Sequence, residues 1–403
     1  MATVRPFSAW LPPAALAPQI ASVPYDVVNS AEARDLAEGR EKSFLHVIRP
    51  EIDLPLATDL YSDVVYATAA KNLERWLADM PYDEAEPRLY VYRLVREGRP
   101  QVGVVGACSV DEYDAGGIAI HERTRQKKED DRTRHVVTMR CQAEPIFLAY
   151  RADAGIDALV LAAMKGAPRF DFVADDGVQH TLWDVEDSAG LHAAFDAVPR
   201  LYVADGHHRA KSASRARQAL QDGNSAHTGL EPYNFVMSVV FPDNQLAILP
   251  YNRLVTDLGG RSSREALDAI RAIAPLSPTE SATPSARGTI CVYGDGQWYE
   301  MTLSPSRDGV VDSLDVALLQ DQVLAPVFGI EDPRTAPGIE FVGGIRGTDE
   351  LAERADAARG VAFSMYATSL AELFAVADSG GIMPPKSTWF EPKLRSGMFL
   401  HRI

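Results

Sequence analysis

The chain has 403 residues, 46% of them hydrophobic, which is enough to bury a large core and is more than the length of a typical single domain. A formal net charge of -16 sets up a field that repels nucleic acid and acidic membranes, so DNA binding is disfavoured from the start. The three cysteines, Cys108, Cys141 and Cys291, are too few and too scattered for a disulfide framework or a zinc knuckle, and they suit small core residues in a reducing compartment.

Prolines at positions 6, 12, 13, 18 and 24 interrupt the N-terminal segment, and no charged stretch is followed by an unbroken apolar run, so a signal peptide is not expected. No apolar stretch approaches the roughly 20 residues of a membrane span. The sequence therefore predicts a cytoplasmic protein without nucleic-acid or membrane partners, and a homodimer is compatible with it. No repeat at solenoid periods is present, and Ser277 to Gly288 reads as a polar loop.

Tyr61, Val64, Val65, Thr68, Leu73, Trp76 and Leu77 recur at helical spacing and predict a helix from about Asp59 to Asp79. Strands are expected at 88–95 and 101–110, joined by the turn Glu97-Gly98-Arg99-Pro100. The charged segment 121–140 predicts a partly helical solvated face, followed by a short strand at 145–150. A hairpin around Phe170 to Val185 and a helix near Ala189 to Ala197 lead to the strand 200–204, the loop Asp205 to Arg209 and a helix from about Ala210. Residues 233–241 and 246–255 read as paired strands over a Pro-Asp-Asn turn, with a helix from Arg264 to Ala272 after them. Further strands near 289–294 and 297–303 and helices near 313–326, 349–358 and 368–378 complete a mixed α/β chain. Soft boundaries near 112 and 256 divide it into an N-terminal α/β region (1–112), a core (113–255) and a C-terminal α/β domain (256–403).

The stretch RLYVADGHHRAKSA carries the most chemistry. An apolar strand ends in Ala204-Asp205, Gly206 lets the backbone turn, and His207, His208 and Arg209 follow where a helix should start. Free N–H groups and the positive end of the dipole favour an anion at such a point, and Arg209 adds a charge that can pair with phosphate oxygens. Asp205 can cap the helix, bind a divalent ion or orient a histidine. Zinc is not expected, because His207 and His208 are adjacent and no Cys or His partner stands at a ligand-like spacing.

The loop resembles the phosphate-binding motif of the ParB/sulfiredoxin superfamily, and its Asp-Gly-His-His-Arg form is similar to that of the archaeal free-serine kinases. Ile120-His121-Glu122 resembles their His-Glu step, and Pro385-Lys386-Ser387-Thr388 resembles a C-terminal Pro-Lys-Thr-Thr stretch, with all three motifs in the same order. The resemblance implies a ParB/sulfiredoxin-like core with α/β extensions. It also implies transfer of a phosphoryl group from ATP or ADP, with Mg²⁺, to a free hydroxy amino acid such as L-serine, giving O-phosphoserine. Glu122 would then be the general base, with His121 and Asp205 beside it as catalytic groups, and Asp205 near the Mg²⁺. Gly206, His207, His208, Arg209, Lys386, Ser387 and Thr388 would hold the nucleotide's phosphates.

In FLHVIRPE (44–51), His46, Arg49 and Glu51 alternate with apolar neighbours, which on a strand would place them partly on one face. Arg49 could receive a substrate carboxylate there, with Tyr25, Asp26 and Asn29 lining the same cleft and Arg125 as a further substrate contact; a structural polar cluster accounts for the first three equally. From SVPYDVVN (22–29) to MPPKSTWFEPK (383–393), nearly the whole chain resembles a widespread bacterial family of uncharacterised function. That family leads one to expect a histidine in a Leu-Pro-x-His-Arg strand, where this chain has Asn252. A regulatory protein of ParB type, binding nucleotide without a small-molecule acceptor, is the alternative; a sulfiredoxin-like reductase lacks its cysteine here.

Overall fold

A computed structural model describes residues 2–79 and 83–403. The chain forms two compact units, one made of Met1–Leu246 with Pro392–Ile403 and the other of Ala247–Glu391. The architecture is mixed α/β, with several sheets. Residue 112 lies in a helix of the first unit, and residue 256 lies nine positions into the second.

The strands of the first unit, in chain order, are β1 (Val4–Arg5), β2 (Trp10–Leu11), β3 (Asp83–Glu84), β4 (Tyr90–Arg96), β5 (Arg99–Ser109), β6 (Ile118–Ala119), β7 (Cys141–Gln142), β8 (Ile146–Tyr150), β9 (Phe170–Val173), β10 (Gln179–Asp184), β11 (Leu201–Asp205) and β12 (Phe235–Pro242). Its helices are α1 (Ala17–Ile20), α2 (Ser30–Ala37), α3 (Leu45–Ile48), α4 (Asp63–Asp79), α5 (Val110–Asp114), α6 (Gln126–Met139), α7 (Ala154–Ala163), α8 (Ser188–Phe195) and α9 (His207–Asp222). One sheet runs β6-β11-β8-β12-β5-β4-β10-β9, with β1 added along β5. Within it β12 lies parallel to β8 and β11 parallel to β6, and the remaining pairs are antiparallel.

The β4–β5 hairpin forms as the sequence predicts, and its turn is the pair Glu97-Gly98 alone. Both residues have positive φ, 52° and 77°, the geometry that matches the twist of the flanking strands. One core packs Val4, Val91, Val104, Ile146, Leu148, Leu201 and Val203 of the sheet with Ile156, Leu191, Phe195 and Ala210 of the helices. A second joins Phe44, Leu45, Val47 and Ile48 to Leu73 and Trp76 of α4 and to Met139 and Cys141. Each fully buried Val, Leu, Ile or Phe among them contributes about 1.5–3 kcal/mol by its removal from water.

Two sequence expectations are corrected. FLHVIRPE is not a strand: α3 and a 3-10 turn over Pro50–Asp53 carry it, because its apolar Leu45, Val47 and Ile48 bury against α4 from a helix. The segments 233–241 and 246–255 do not pair with each other. β12 is saturated by β5 and β8 on its two sides, and the later segment belongs from Ala247 onward to the second unit.

That second unit holds β13 (Ile248–Leu249), β14 (Tyr251–Val255), β15 (Ser277–Pro278), β16 (Thr289–Gly294), β17 (Gln297–Thr302), β18 (Ile339–Gly343), β19 (Val361–Ser364) and β20 (Trp389–Phe390). Six of them form an antiparallel sheet in the order β15-β17-β16-β19-β14-β18, and β13 pairs with β20. Helices at Ser263–Arg271, Gly347–Ala358 and Leu370–Asp378 accompany the sheet.

Candidate functional site

The turn from β11 into α9 is shorter than the sequence suggests. Gly206 is the helix N-cap, and His207, His208 and Arg209 are already the first turn of α9. Gly206 sits at φ 92°, in the left-handed region, and a Cβ there would meet the Arg209 guanidinium at 3.1 Å. The backbone angle favours glycine, and any Cβ would also oblige the Arg209 guanidinium to move by a few tenths of an ångström.

Asp205 ends β11 and is held on all sides. Its Oδ1 accepts from the Gly206 N–H at 2.9 Å, and its Oδ2 lies 3.0 Å from Lys393 Nζ and 3.7 Å from an Arg209 nitrogen. Burial raises the carboxyl's pKa, but the charges of Lys393 and Arg209 outweigh it and hold the group well below its ordinary value. Arg209 is 8% exposed at its side chain and also donates to the Pro145 carbonyl. The pair therefore braces the turn against β8.

The register of the sheet brings His121 to this turn. Ile118 and Ala119 pair in parallel with Leu201 and Tyr202, so the residues two steps beyond β6 run alongside the end of β11. The rings of His121 and His207 meet edge to face with centroids 4.5 Å apart. Both residues are buried, at 2% and 5% exposure, and His121 Nδ1, His121 Nε2 and His207 Nε2 are buried without hydrogen-bond partners. The Val203 backbone acts on the His121 ring and pulls its pKa upward. Burial first, then the neighbouring His207, push the His121 pKa well down; burial pushes that of His207 down to about 4 against the pull of Asp205. Both rings are accordingly neutral at pH 7.

Glu122, half-buried, completes the group. One ligand-type atom from each of His121, Glu122 and His207 lies within 4.8 Å of the others. Among the described residues this is the set of His, Cys, Asp and Glu side chains close enough to share a metal ion, and Asp205 is not in it. His121 comes beside His207 through the pairing of β6 with β11, across 86 positions of sequence.

Other charges gather around the start of α9. His208 Nε2 accepts the backbone N–H of Arg125, the N-cap of α6, at 3.1 Å. Burial lowers the His208 pKa, with Glu122 and Asp26 pulling against it and Arg125 and Lys128 adding to it. The Tyr25 N–H donates to Glu144 Oε1 at 3.1 Å, and the Arg132 guanidinium lies 4.3 Å from the centre of the Tyr25 ring. Asp26 and Glu144 both act on Arg209, and Glu144's own pKa is raised by burial. Arg132, Glu144 and Arg209 line a small cavity of about 30 Å³.

The expected substrate contacts fall into local bonds. Arg49 pairs with Glu51 at 2.9 Å and donates to the Tyr25 carbonyl at 3.3 Å and the Ser30 hydroxyl at 3.0 Å. His46 Nδ1 lies 2.7 Å from Asp53 Oδ1, apart from that pair. Asn29 caps α2 through a capping box with Glu32. Lys386, Ser387 and Thr388 belong to the second unit. There the Lys386 ammonium lies 3.3 Å from the Tyr251 hydroxyl, the Lys386 carbonyl accepts from Arg253 at 3.2 Å, and the Ser387 hydroxyl donates to Pro384 at 2.7 Å. Asn252, 1% exposed, accepts the Met365 N–H at 3.0 Å.

Sequence reasoning gave no role to Lys393, Glu144 or Arg132. Lys393 lies inside a quoted motif, MPPKSTWFEPK, but nothing in its spacing points 188 positions back to Asp205.

A family model described as "Protein of unknown function (DUF1015)" matches residues 4–317. The chain belongs to this family. No curated protein matches it. Among solved structures, this member of the family is similar to a free serine kinase in complex with AMP, at 13% identity over 72% of this chain and 86% of that one, with a TM-score of 0.36. It is similar to C-terminally truncated SbnI from Staphylococcus aureus at 15% identity, over 72% and 85%, with a TM-score of 0.37. A conserved hypothetical protein from Pyrococcus furiosus gives 13% identity, over 73% and 93%, with a TM-score of 0.36. At these TM-scores the likeness carries no functional weight. No helix among the described residues is long and apolar enough to cross a membrane.

Proposed function

We propose that this DUF1015 member is a nucleotide-dependent phosphotransferase acting on a small hydroxyl compound, with L-serine the first acceptor to test. The observation that carries the reading is the meeting of the His-Glu step with the Asp-Gly-His-His-Arg turn, two motifs more than 80 positions apart whose His121 and His207 rings touch at 4.5 Å. A chance resemblance of short motifs gives no reason for them to share one place in the fold.

In this reading the first N–H groups of α9 receive the nucleotide's terminal phosphates, with the side chains of Arg125 and Lys128 adding positive charge nearby. The acceptor's oxygen forms a bond to the terminal phosphorus, the bond from phosphorus to the nucleotide's bridging oxygen breaks, and Glu122 takes the acceptor's proton. Mg²⁺ would neutralise charge on the transferred group. Asp205 has an N–H or a cation on each oxygen, so its part is to position the turn, and Mg²⁺ is left to the nucleotide's phosphates.

The test is transfer of radiolabelled phosphate from ATP and ADP to L-serine and a panel of small hydroxyl compounds, beside Glu122→Gln. The reading expects transfer, reduced about 10²- to 10⁴-fold in the variant with nucleotide binding kept. Nucleotide binding without transfer to any acceptor sinks the phosphotransferase and leaves a ParB-type regulatory module. No nucleotide binding sinks both.

A further inference from the structure

We propose that His121, Glu122 and His207 bind a divalent first-row transition ion such as Zn²⁺, Co²⁺ or Mn²⁺, at a site of two imidazoles and one carboxylate. The proposal stands on these three side chains and does not depend on the phosphotransferase reading. Buried polar atoms in folded proteins almost always find a partner, and an exception calls for a reason. Here three ring nitrogens are exceptions in one place, on two histidines in contact, with a carboxylate beside them.

The donor set suits such an ion. Two neutral imidazoles and one carboxylate match borderline metals, whereas Mg²⁺ and Ca²⁺ prefer oxygen alone. Ligand atoms around a tetrahedral ion with bonds near 2.0–2.1 Å stand roughly 3.4 Å apart, so a group spread over as much as 4.8 Å needs up to about 1.4 Å of closure. Rotation of Glu122, the half-buried member, can supply much of it. Three protein ligands leave at least one position for water or an oxygen of a substrate, the arrangement of reactive rather than purely structural metal sites.

The positions also explain themselves as a site. His121 and Glu122 follow β6, which is only two residues long, and His207 opens α9 beyond the neighbouring parallel strand β11.

The experiment is titration of the chelator-treated full chain with Co²⁺, without nucleotide, read by visible d–d absorption and by metal content after gel filtration. One equivalent of Co²⁺, displaced by Zn²⁺ and not by an equal concentration of Mg²⁺, is expected. Glu122→Gln and His207→Gln should each weaken binding by at least about 100-fold, more than the ~10–100-fold loss of an outer partner. His227→Gln, which alters a histidine paired with Glu231 elsewhere, should bind as the parent does. Circular dichroism identifies any variant that fails to fold, and the half-buried Glu122→Gln then decides. Absence of stoichiometric Co²⁺, equal binding by folded Glu122→Gln, or displacement by equal Mg²⁺ would overturn the site.

Discussion

Lys393 Nζ stands 3.0 Å from Asp205 Oδ2, so a residue near the C-terminus closes the turn that starts α9. The side chains are 18% and 27% exposed, and the Arg209 guanidinium shares the same carboxylate oxygen. Lys393→Met removes the closer of the two cations. It should cost about 2 kcal/mol in urea unfolding at pH 7, less than the ~3–5 kcal/mol of a fully buried pair because both groups still reach solvent. The sign with pH follows from the depressed carboxyl. The folded value lies below the unfolded value of about 4, so the stabilisation is complete above that pH and drains away as pH falls below it. The gap between parent and variant should therefore close on acidification. A gap that persists at strongly acid pH would mean that lost packing of the lysine stem, and not the ion pair, sets the cost.

Local signals in the sequence carried most elements, and non-local ones were lost. The β4–β5 hairpin was legible because Glu97-Gly98 punctuates two alternating runs, and α4 because its apolar residues keep helical spacing. The strand, glycine and helix around Asp205 to Arg209 were legible for the same local reasons. β12 and residues 246–255 misled because both read as strands across a turn-like Pro-Asp-Asn, while strand pairing is decided by partners far along the chain. Leu45 to Ile48 misled because a short apolar run has no period that separates helix from strand. The contact of His121 with His207 rests on a two-residue strand, β6, too short to leave any pattern.

The structure gives Asn252, at a position where the family resemblance leads one to expect a histidine, a backbone task. Its Oδ1 accepts the Met365 N–H at 3.0 Å in the buried interior of the second unit. Asn252→Leu, close in size, strands that amide without an acceptor and should cost about 1–3 kcal/mol. Asn252→His offers Nδ1 near the same place and should lose less. Unfolding curves of the two variants compare them directly. Equal losses would mean that side-chain volume, not the hydrogen bond, governs the position.

Gly206 ties the backbone of the turn to the position of Arg209, and the two can be separated by a cycle of variants. At φ 92° an alanine pays for the left-handed conformation, about 1–2 kcal/mol, and its Cβ also meets the Arg209 guanidinium at 3.1 Å. Arg209→Ala alone leaves Asp205 with one cation fewer and frees the Pro145 carbonyl. In the double variant the Cβ no longer meets a guanidinium, so the combined cost should be smaller than the sum, with a coupling of about 0.5 kcal/mol or more. Chemical denaturation of the parent, both single variants and the double variant measures this. Strict additivity would mean that the glycine is required by its backbone angle alone and that Arg209 has room to give way.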